Sequence, residues 1–317
     1  MLIGVDIGGT KCACIAASQK ENGVEILARE AFETAGNTPD EVLERFDGLI
    51  CRFTEQYEPC KAIGISCGGP LDSEKGVILS PPNLPGWDNI EITKHFTERF
   101  GVPARLINDA NASALAEWKY GAGVGTKNMI FLTFGTGLGA GLILNGALYE
   151  GTNGMAGEVG HMRLAPFGPS GYGKCGSFEG FCSGGGLAEL ARGLAREALQ
   201  RGETVSFVPG NDLKNTAITA KSVAQAAREG DRVALETFRL CGEKLGEGLS
   251  VLIDLFNPEV IVIGSIFARC QDLLWKHAQN VICAEALSQS AEVCKVVPAK
   301  LGEQIGDYAA LAAAPEA

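Results

Sequence analysis

The chain is 317 residues long, the size of about two domains of ~100–200 residues, and large enough to bury a core without disulfide or metal staples. Its 27 Lys and Arg against 38 Asp and Glu leave a formal charge of −11, which argues against nucleic acid or an anionic membrane surface as a partner. No apolar run reaches the ~18 residues of a membrane span, and no basic leader precedes the first strand. Eleven scattered cysteines read as free thiols in a reducing cytoplasm. Glycine is the outlier at 42 residues, and implies many tight turns or loops close to a ligand.

In chain order, Ile3 to Ile7 reads as a strand ending in Gly8-Gly9-Thr10, with a second strand from Cys12 to Ala17. Apolar spacing predicts a helix from about Pro39 to Tyr57. Ala62 to Ser66 reads as a buried strand, followed by a loop dense in turn residues through Pro85-Gly86-Trp87. A helix over Ile92 to Phe100 leads to a strand at Ala104 to Ile107, and Asn108-Asp109 opens a helix to about Tyr120. The second half starts similarly. Met129 to Phe134 is a strand running into Gly135-Thr136-Gly137-Leu138-Gly139-Ala140-Gly141, with another strand at Leu142 to Leu144. The two strand–glycine turn–strand units form a weak internal repeat. The stretch from Gly151 to Gly186 reads as irregular. Helices are expected at about Gly186 to Arg201, Ala220 to Arg228, Asp231 to Phe256, Leu273 to Leu287 and Asp307 to Ala314, with strands at Glu259 to Ile263 and Cys294 to Val297. Strands alternating with helices make the chain α/β.

Each glycine turn leaves backbone N–H groups free to face an anion, because no Cβ blocks approach. Neither turn matches a P-loop or a dinucleotide fingerprint, and either alone reads as well as an ordinary hairpin. The pair, at equivalent places in two halves, favours a phosphate clamp for a nucleotide. Asn108-Asp109 sits where a strand hands over to a helix. Capping explains it by position alone; the functional reading is a general base taking a proton from a substrate hydroxyl. The helix N-terminus is expected to keep the Asp109 carboxyl low. Glu158, His161 and Glu179 lie in the irregular stretch and suit a polyhydroxylated ligand, although surface solvation or a structural hydrogen bond would explain them too.

Five ordered motifs carry a wider likeness: Asp6-Ile7-Gly8-Gly9-Thr10-Lys11, Asn83-Leu84-Pro85-Gly86-Trp87, Asn108-Asp109-Ala110-Asn111-Ala112, Gly135 to Gly141, and Gly157-Glu158-Val159-Gly160-His161-Met162. With Asn257-Pro258-Glu259 running to Gly264, they span nearly the whole chain. The sequence resembles the ROK family, particularly its glucokinase-like sugar kinases. The resemblance implies a duplicated actin-like, ribonuclease-H-like α/β fold of two lobes with a cleft between them. The small lobe is expected over residues 1–118, with a terminal helix at about 303–317 packing back onto it, and the large lobe over 119–302.

The resemblance also assigns roles. Asp109 becomes the base that deprotonates a sugar hydroxyl, usually the 6-OH of a hexose. Gly68, Gly69, Asn83, Asn108, Glu158, His161 and Glu179 become sugar-side positions. Asp6 is placed near Mg²⁺, Gly8, Gly9, Thr10 and Lys11 near the phosphates, Gly135, Thr136 and Gly137 around the β- and γ-phosphates, and Gly264 beside the adenosine. ATP, Mg²⁺ and a small sugar are the implied ligands, and a homodimer the implied assembly. Many members hold zinc through this His and three cysteines, but here Ser170, Tyr172 and Ser177 occupy the cysteine positions, and Cys175 and Cys182 stand at other offsets. No zinc is expected, which frees His161 for the sugar. Ser265 is a second departure, where members often have glycine. Glucose is the first substrate expected, with N-acetylmannosamine, N-acetylglucosamine or another hexose as alternatives. A sugar-responsive repressor is disfavoured by the charge and by a first strand that begins at residue 2; a sugar-binding protein without catalysis is the remaining alternative.

Overall fold

A computed structural model describes residues 1–21 and 23–315. It is mixed α/β, with two five-stranded mixed sheets. The first has the order Gly23–Glu33, Lys11–Lys20, Leu2–Ile7, Ala62–Cys67, Ala104–Asn108. The second has the order Ala147–Tyr149, Leu138–Leu144, Met129–Phe134, Val260–Ile263, Lys295–Pro298. The strands flanking the two glycine turns therefore hold the same places in both sheets. In each, the strand before the turn also pairs in parallel with a later one, Ala62–Cys67 in the first and Val260–Ile263 in the second. The weak repeat in the sequence is a repeat of topology.

The chain divides into two compact units: Met1–Gly125, Gly141–Ala156 and the segment from Lys300 onward form one, Thr126–Ala140 and Gly157–Ala299 the other. Segments 119–125, 141–156 and 300–302, placed in the second lobe by the sequence reading, group with the first.

In the first unit, alternation along Leu2–Ile7 sends Ile3, Val5 and Ile7 to one face. There they pack with the helix Pro39–Gln56, whose apolar face of Val42, Phe46, Ile50 and Phe53 is buried as its spacing predicts. That helix starts where a capping box allows: Thr38 accepts from the Glu41 N–H at 3.3 Å, Glu41 accepts from the Thr38 N–H at 2.7 Å, and Pro39 stands at N1. Leu2 points to the opposite face and packs with Ala310, Leu311 and Ala314 of the C-terminal segment. The helix Ile305–Ala313 lies flat on this face because Gly4 and Gly64 leave room for its backbone. A Cβ on Gly64 would stand 2.1 Å from the Ala310 carbonyl oxygen and 2.4 Å from the Ala314 nitrogen. Residues 316–317 of the expected terminal segment lie outside the described residues.

In the second unit, Met129–Phe134 and Val260–Ile263 are almost wholly buried. The helix Arg232–Phe256 begins at Asp231, which accepts from the Val233 and Ala234 N–H groups at 2.9 and 3.0 Å, and ends at left-handed Asn257.

One strand lies where the sequence reading assigns nothing, and three local expectations are corrected. Gly23–Glu33 is an eleven-residue strand; at the sheet edge, its charged side chains stay outside and hide the pattern. The loop after Ser66 contains three short strands, Leu71–Asp72, Val77–Leu79 and Asp88–Ile90. The strand expected from Leu142 starts at Leu138, so the second glycine turn is shorter than its glycines suggest. The helix expected from Leu273 starts at Ile266 and bends at Cys270, whose φ of −127° breaks the pattern. No helix among the described residues is long and apolar enough to cross a membrane, and the eleven cysteines are free thiols.

Candidate functional site

In the first unit, the loop Ser80–Trp87 is anchored by two buried knobs, Leu84 and Trp87, and closed by the Ser80 N–H donating to the Trp87 carbonyl at 3.0 Å. It passes directly over the first glycine turn. A Cβ on Gly9 would fall 2.4 Å from the Asn83 carbonyl oxygen, so only glycine fits there. The turn is braced by the Gly8 N–H donating to the Lys11 carbonyl at 3.1 Å and by the Thr34 hydroxyl donating to the Gly8 carbonyl at 2.7 Å. Thr10, Lys11 and Asn83 are exposed.

Asn108 ends its strand and caps the helix Asp109–Tyr120, accepting from the Ala110 N–H at 3.0 Å. Asp109 Oδ1 accepts from the same N–H at 2.8 Å. That leaves Asp109 Oδ2, which lies 3.9 Å from where a Cβ on Gly68 would stand; Asn108 Nδ2 lies 3.6 Å from the same point on Gly69. The chain thus brings Gly68, Gly69, Asn108 and Asp109 to one place. The Asp109 side chain is open to solvent but hemmed in by protein. Desolvation pushes its carboxyl up, against the pull of the Ala110 N–H and its own N–H. The expectation of a low value at this helix start is therefore overturned: desolvation outweighs the backbone N–H groups that favour the charged form.

Asp6 is half-buried, and burial pushes its carboxyl up to about 6, helped by the charges of Asp307 and Asp109 and opposed by Arg29. Arg29 is already committed to both Asp307 oxygens, with Nε at 2.8 and 2.7 Å. Three carboxylates against one guanidinium leave an excess of negative charge, which suits a divalent cation. Mg²⁺ typically takes one or two carboxylates together with substrate phosphates, so the single carboxylate of Asp6 is compatible with it.

The Asp6 carboxyl also gives a pH-dependent expectation. Its folded value, about 6, lies above the ordinary 3.8, so the folded state holds the proton more tightly. The group favours folding below its unfolded value, and that contribution is lost as pH rises through about 6. In metal-free buffer, Asp6→Asn is expected to gain up to about 3 kcal/mol over wild type above pH ~7 and almost nothing near pH ~4. Urea melts at the two pH values check this; equal gains at both would contradict it.

In the second unit, the segment from Gly157 to His161 runs close along the strand Leu138–Leu144. Added Cβ atoms on Gly157 and Gly160 would each fall 2.1 Å from a carbonyl oxygen, of Ala140 and Leu138 respectively, which accounts for both glycines. Glu158 and His161 are exposed, and the His161 carbonyl accepts from Lys174 Nζ at 2.5 Å. Glu179 sits in the one-turn helix Phe178–Phe181, and its Oε2 accepts from the Leu138 N–H at 3.0 Å. One carboxylate oxygen thus braces the second glycine turn. The Gly135 carbonyl is held by the Gly184 N–H at 2.8 Å.

The positions equivalent to the family's zinc cysteines do not fit zinc. Ser177 is buried, and its hydroxyl oxygen accepts from the Gly180 N–H at 3.1 Å. The Cys175 thiol donates to the Gly168 carbonyl at 3.1 Å, and the Cys182 thiol to the Cys241 carbonyl at 3.6 Å. Among the described residues no group of three His, Cys, Asp or Glu is arranged to hold a metal.

Above the second glycine turn lies a cavity of about 1020 Å³, lined by Gly135, Thr136, Gly184 and Gly185 at one end and by Ile218 and Ile266 among its walls. Its size is that of a ligand pocket. Gly264 is not among the lining residues; a Cβ there would stand 3.3 Å from the Phe131 ring, and the next residue, Ser265, lines the cavity. The residues 218–229 and 265–270 that complete the wall escaped the sequence reading. Its available signals were Ser183, which caps the helix Gly184–Gln200 by accepting from the Gly186 N–H at 3.0 Å, and the Gly264-Ser265 step.

The structure is a duplicated strand–glycine turn–strand α/β fold, with a carboxylate at a helix start in one unit and a cavity over a glycine turn in the other. The ROK family model matches residues 2–316, and the chain belongs to that family. It is similar to a glucokinase of Thermotoga maritima, 30% identical over 308 residues that cover 96% of this chain and 94% of the relative. A crystal structure of a ROK family glucokinase from Streptomyces griseus in complex with glucose and AMPPNP superposes with a TM-score of 0.73 at 31% identity, covering 98% of this chain and 97% of that one. The fold is thus the actin-like one of ROK kinases. A xylose repressor of Caldicellulosiruptor bescii is also 30% identical, over 89% of this chain and 69% of the relative.

Proposed function

We propose that this chain transfers the γ-phosphoryl group of ATP to a hexose hydroxyl, with the 6-OH of glucose the first choice. The observation that carries this reading is Asp109: a carboxylate with one oxygen held by a helix N–H and the other open beside Gly68. Desolvation raises its proton affinity, which makes it a stronger base than an ordinary aspartate.

In this reading the sugar hydroxyl gives its proton to Asp109 Oδ2 as its oxygen attacks the γ-phosphorus. Asn108, Asn83, Glu158, His161 and Glu179 address the other hydroxyls, and Gly68 and Gly69 keep the approach free of side chains. The turns Gly8–Lys11 and Gly135–Gly137 hold the phosphates, and Gly264 underlies the adenosine. Asp6 would hold Mg²⁺, which neutralises phosphate charge when bound. The reaction belongs in the cytoplasm, where eleven free thiols remain reduced, and the resemblance makes a homodimer the proposed assembly.

Two other readings rest on specific observations. The missing zinc cysteines favour an N-acylated hexosamine or a further hexose as substrate. Similarity to a repressor favours sugar binding without catalysis. A coupled ADP-release assay with Mg-ATP over glucose, N-acetylglucosamine, N-acetylmannosamine, mannose, fructose and allose separates them. Turnover of one sugar supports the kinase and names its substrate. Inertness towards all six, with one sugar raising Tm, assigns a binding protein instead.

A further inference from the structure

Ser265 stands at the junction between the strand Val260–Ile263 and the helix Ile266–Glu285, at the helix N-cap. A serine there normally accepts a hydrogen bond from the first turn. This one makes no such bond, and its backbone has φ 51° and ψ −108°, a conformation that favours glycine. The hydroxyl is turned elsewhere. Arg269 Nη2 donates to Ser265 Oγ at 2.9 Å, so the oxygen is used as an acceptor and its own O–H is left as a donor. Both residues line the cavity over the second glycine turn. The Ser265 side chain also reaches that turn: its Oγ lies 3.6 Å from where a Cβ on Gly135 would stand. Lys221 and Arg228 are the other cations on the wall; Arg228 is bonded to both oxygens of Asp272 at 2.9 and 2.8 Å, and Arg269 is the guanidinium that meets the hydroxyl.

Backbone strain retained at a pocket wall, with a side-chain donor backed by a positive charge, is an arrangement for meeting an anion. We infer that Ser265, oriented by Arg269, donates a hydrogen bond to the phosphate chain of the donor nucleotide and raises this chain's affinity for it. The inference rests on the nucleotide reading of the cavity proposed above.

The test is calorimetric binding of Mg-ADP and of adenosine to wild type, Ser265→Gly and Arg269→Gln, with thermal melts of each. Ser265→Gly is expected to weaken Mg-ADP about tenfold and to leave adenosine unchanged. It is also expected to raise Tm by about 2 °C or more as the strain is released. Arg269→Gln should weaken Mg-ADP in the same direction without the gain in Tm. In turnover, the loss should fall on KM for ATP, with KM for the sugar unaltered. Wild type binding Mg-ADP no more tightly than Ser265→Gly would overturn the assignment alone. An equal loss for adenosine would move the contact to the nucleoside and overturn the phosphate assignment. Wild type binding neither ligand would overturn the nucleotide reading, and this inference with it.

Discussion

Asp109→Asn is expected to lower kcat by about 10²–10⁴-fold while the sugar dissociation constant stays within about threefold. The asparagine keeps the size of the side chain, and its carbonyl oxygen can still accept the Ala110 N–H that Asp109 Oδ1 receives at 2.8 Å. What it loses is the basic oxygen beside Gly68. In wild type, desolvation raises the carboxyl, so the acid limb of kcat/KM against pH should lie above the ordinary aspartate range, falling as pH drops and the base is protonated. A variant with unchanged kcat would remove Asp109 from the chemistry; loss of sugar binding would make it a binding residue.

The largest expected effect on stability is at Gly64. The added methyl of Gly64→Ala meets backbone atoms of the C-terminal helix at 2.1 and 2.4 Å, and backbone cannot turn aside as a flexible side chain can. Either the helix Ile305–Ala313 lifts from the sheet or the strand Ala62–Cys67 distorts. A loss of about 3 kcal/mol is expected, measured as a lower urea midpoint. Gly36→Ala, where nothing lies within 4 Å, controls for altered backbone freedom, although its φ of 85° carries a smaller strain of its own. Equal losses at the two positions would show that the close approach at Gly64 is unimportant.

The parts legible in the sequence are those whose pattern is local. Ile3, Val5 and Ile7 alternate into one core, and the helix Pro39–Gln56 shows its apolar face within eighteen residues. Both glycine turns were visible as turns, and Asn108-Asp109 as a cap with a second possible use. What remained hidden is non-local. The cavity wall is assembled from four stretches, at residues 135–136, 184–188, 218–229 and 265–270, and no spacing in the chain joins them. The edge strand Gly23–Glu33 carries Glu25, Arg29, Glu30 and Glu33 on exposed or half-exposed positions, so its alternation is weak. The proton affinity of Asp109 could not be read from its place at a helix start either, because the opposing term is the protein around it.

The same packing that makes Gly64 intolerant also orders events during synthesis. Leu2–Ile7 and Ala62–Cys67 leave the ribosome early, yet the face bearing Gly4 and Gly64 is covered by residues 305–313. Between them lies the whole of the second unit. Nascent chains therefore carry an uncovered apolar sheet face until residues 305–313 emerge, and the second unit can collapse while the first still waits. Closure of Leu2–Ile7 and Ala62–Cys67 by the helix Ile305–Ala313 is a high-contact-order step, and it makes the growing chain a natural client for chaperones that shield such faces.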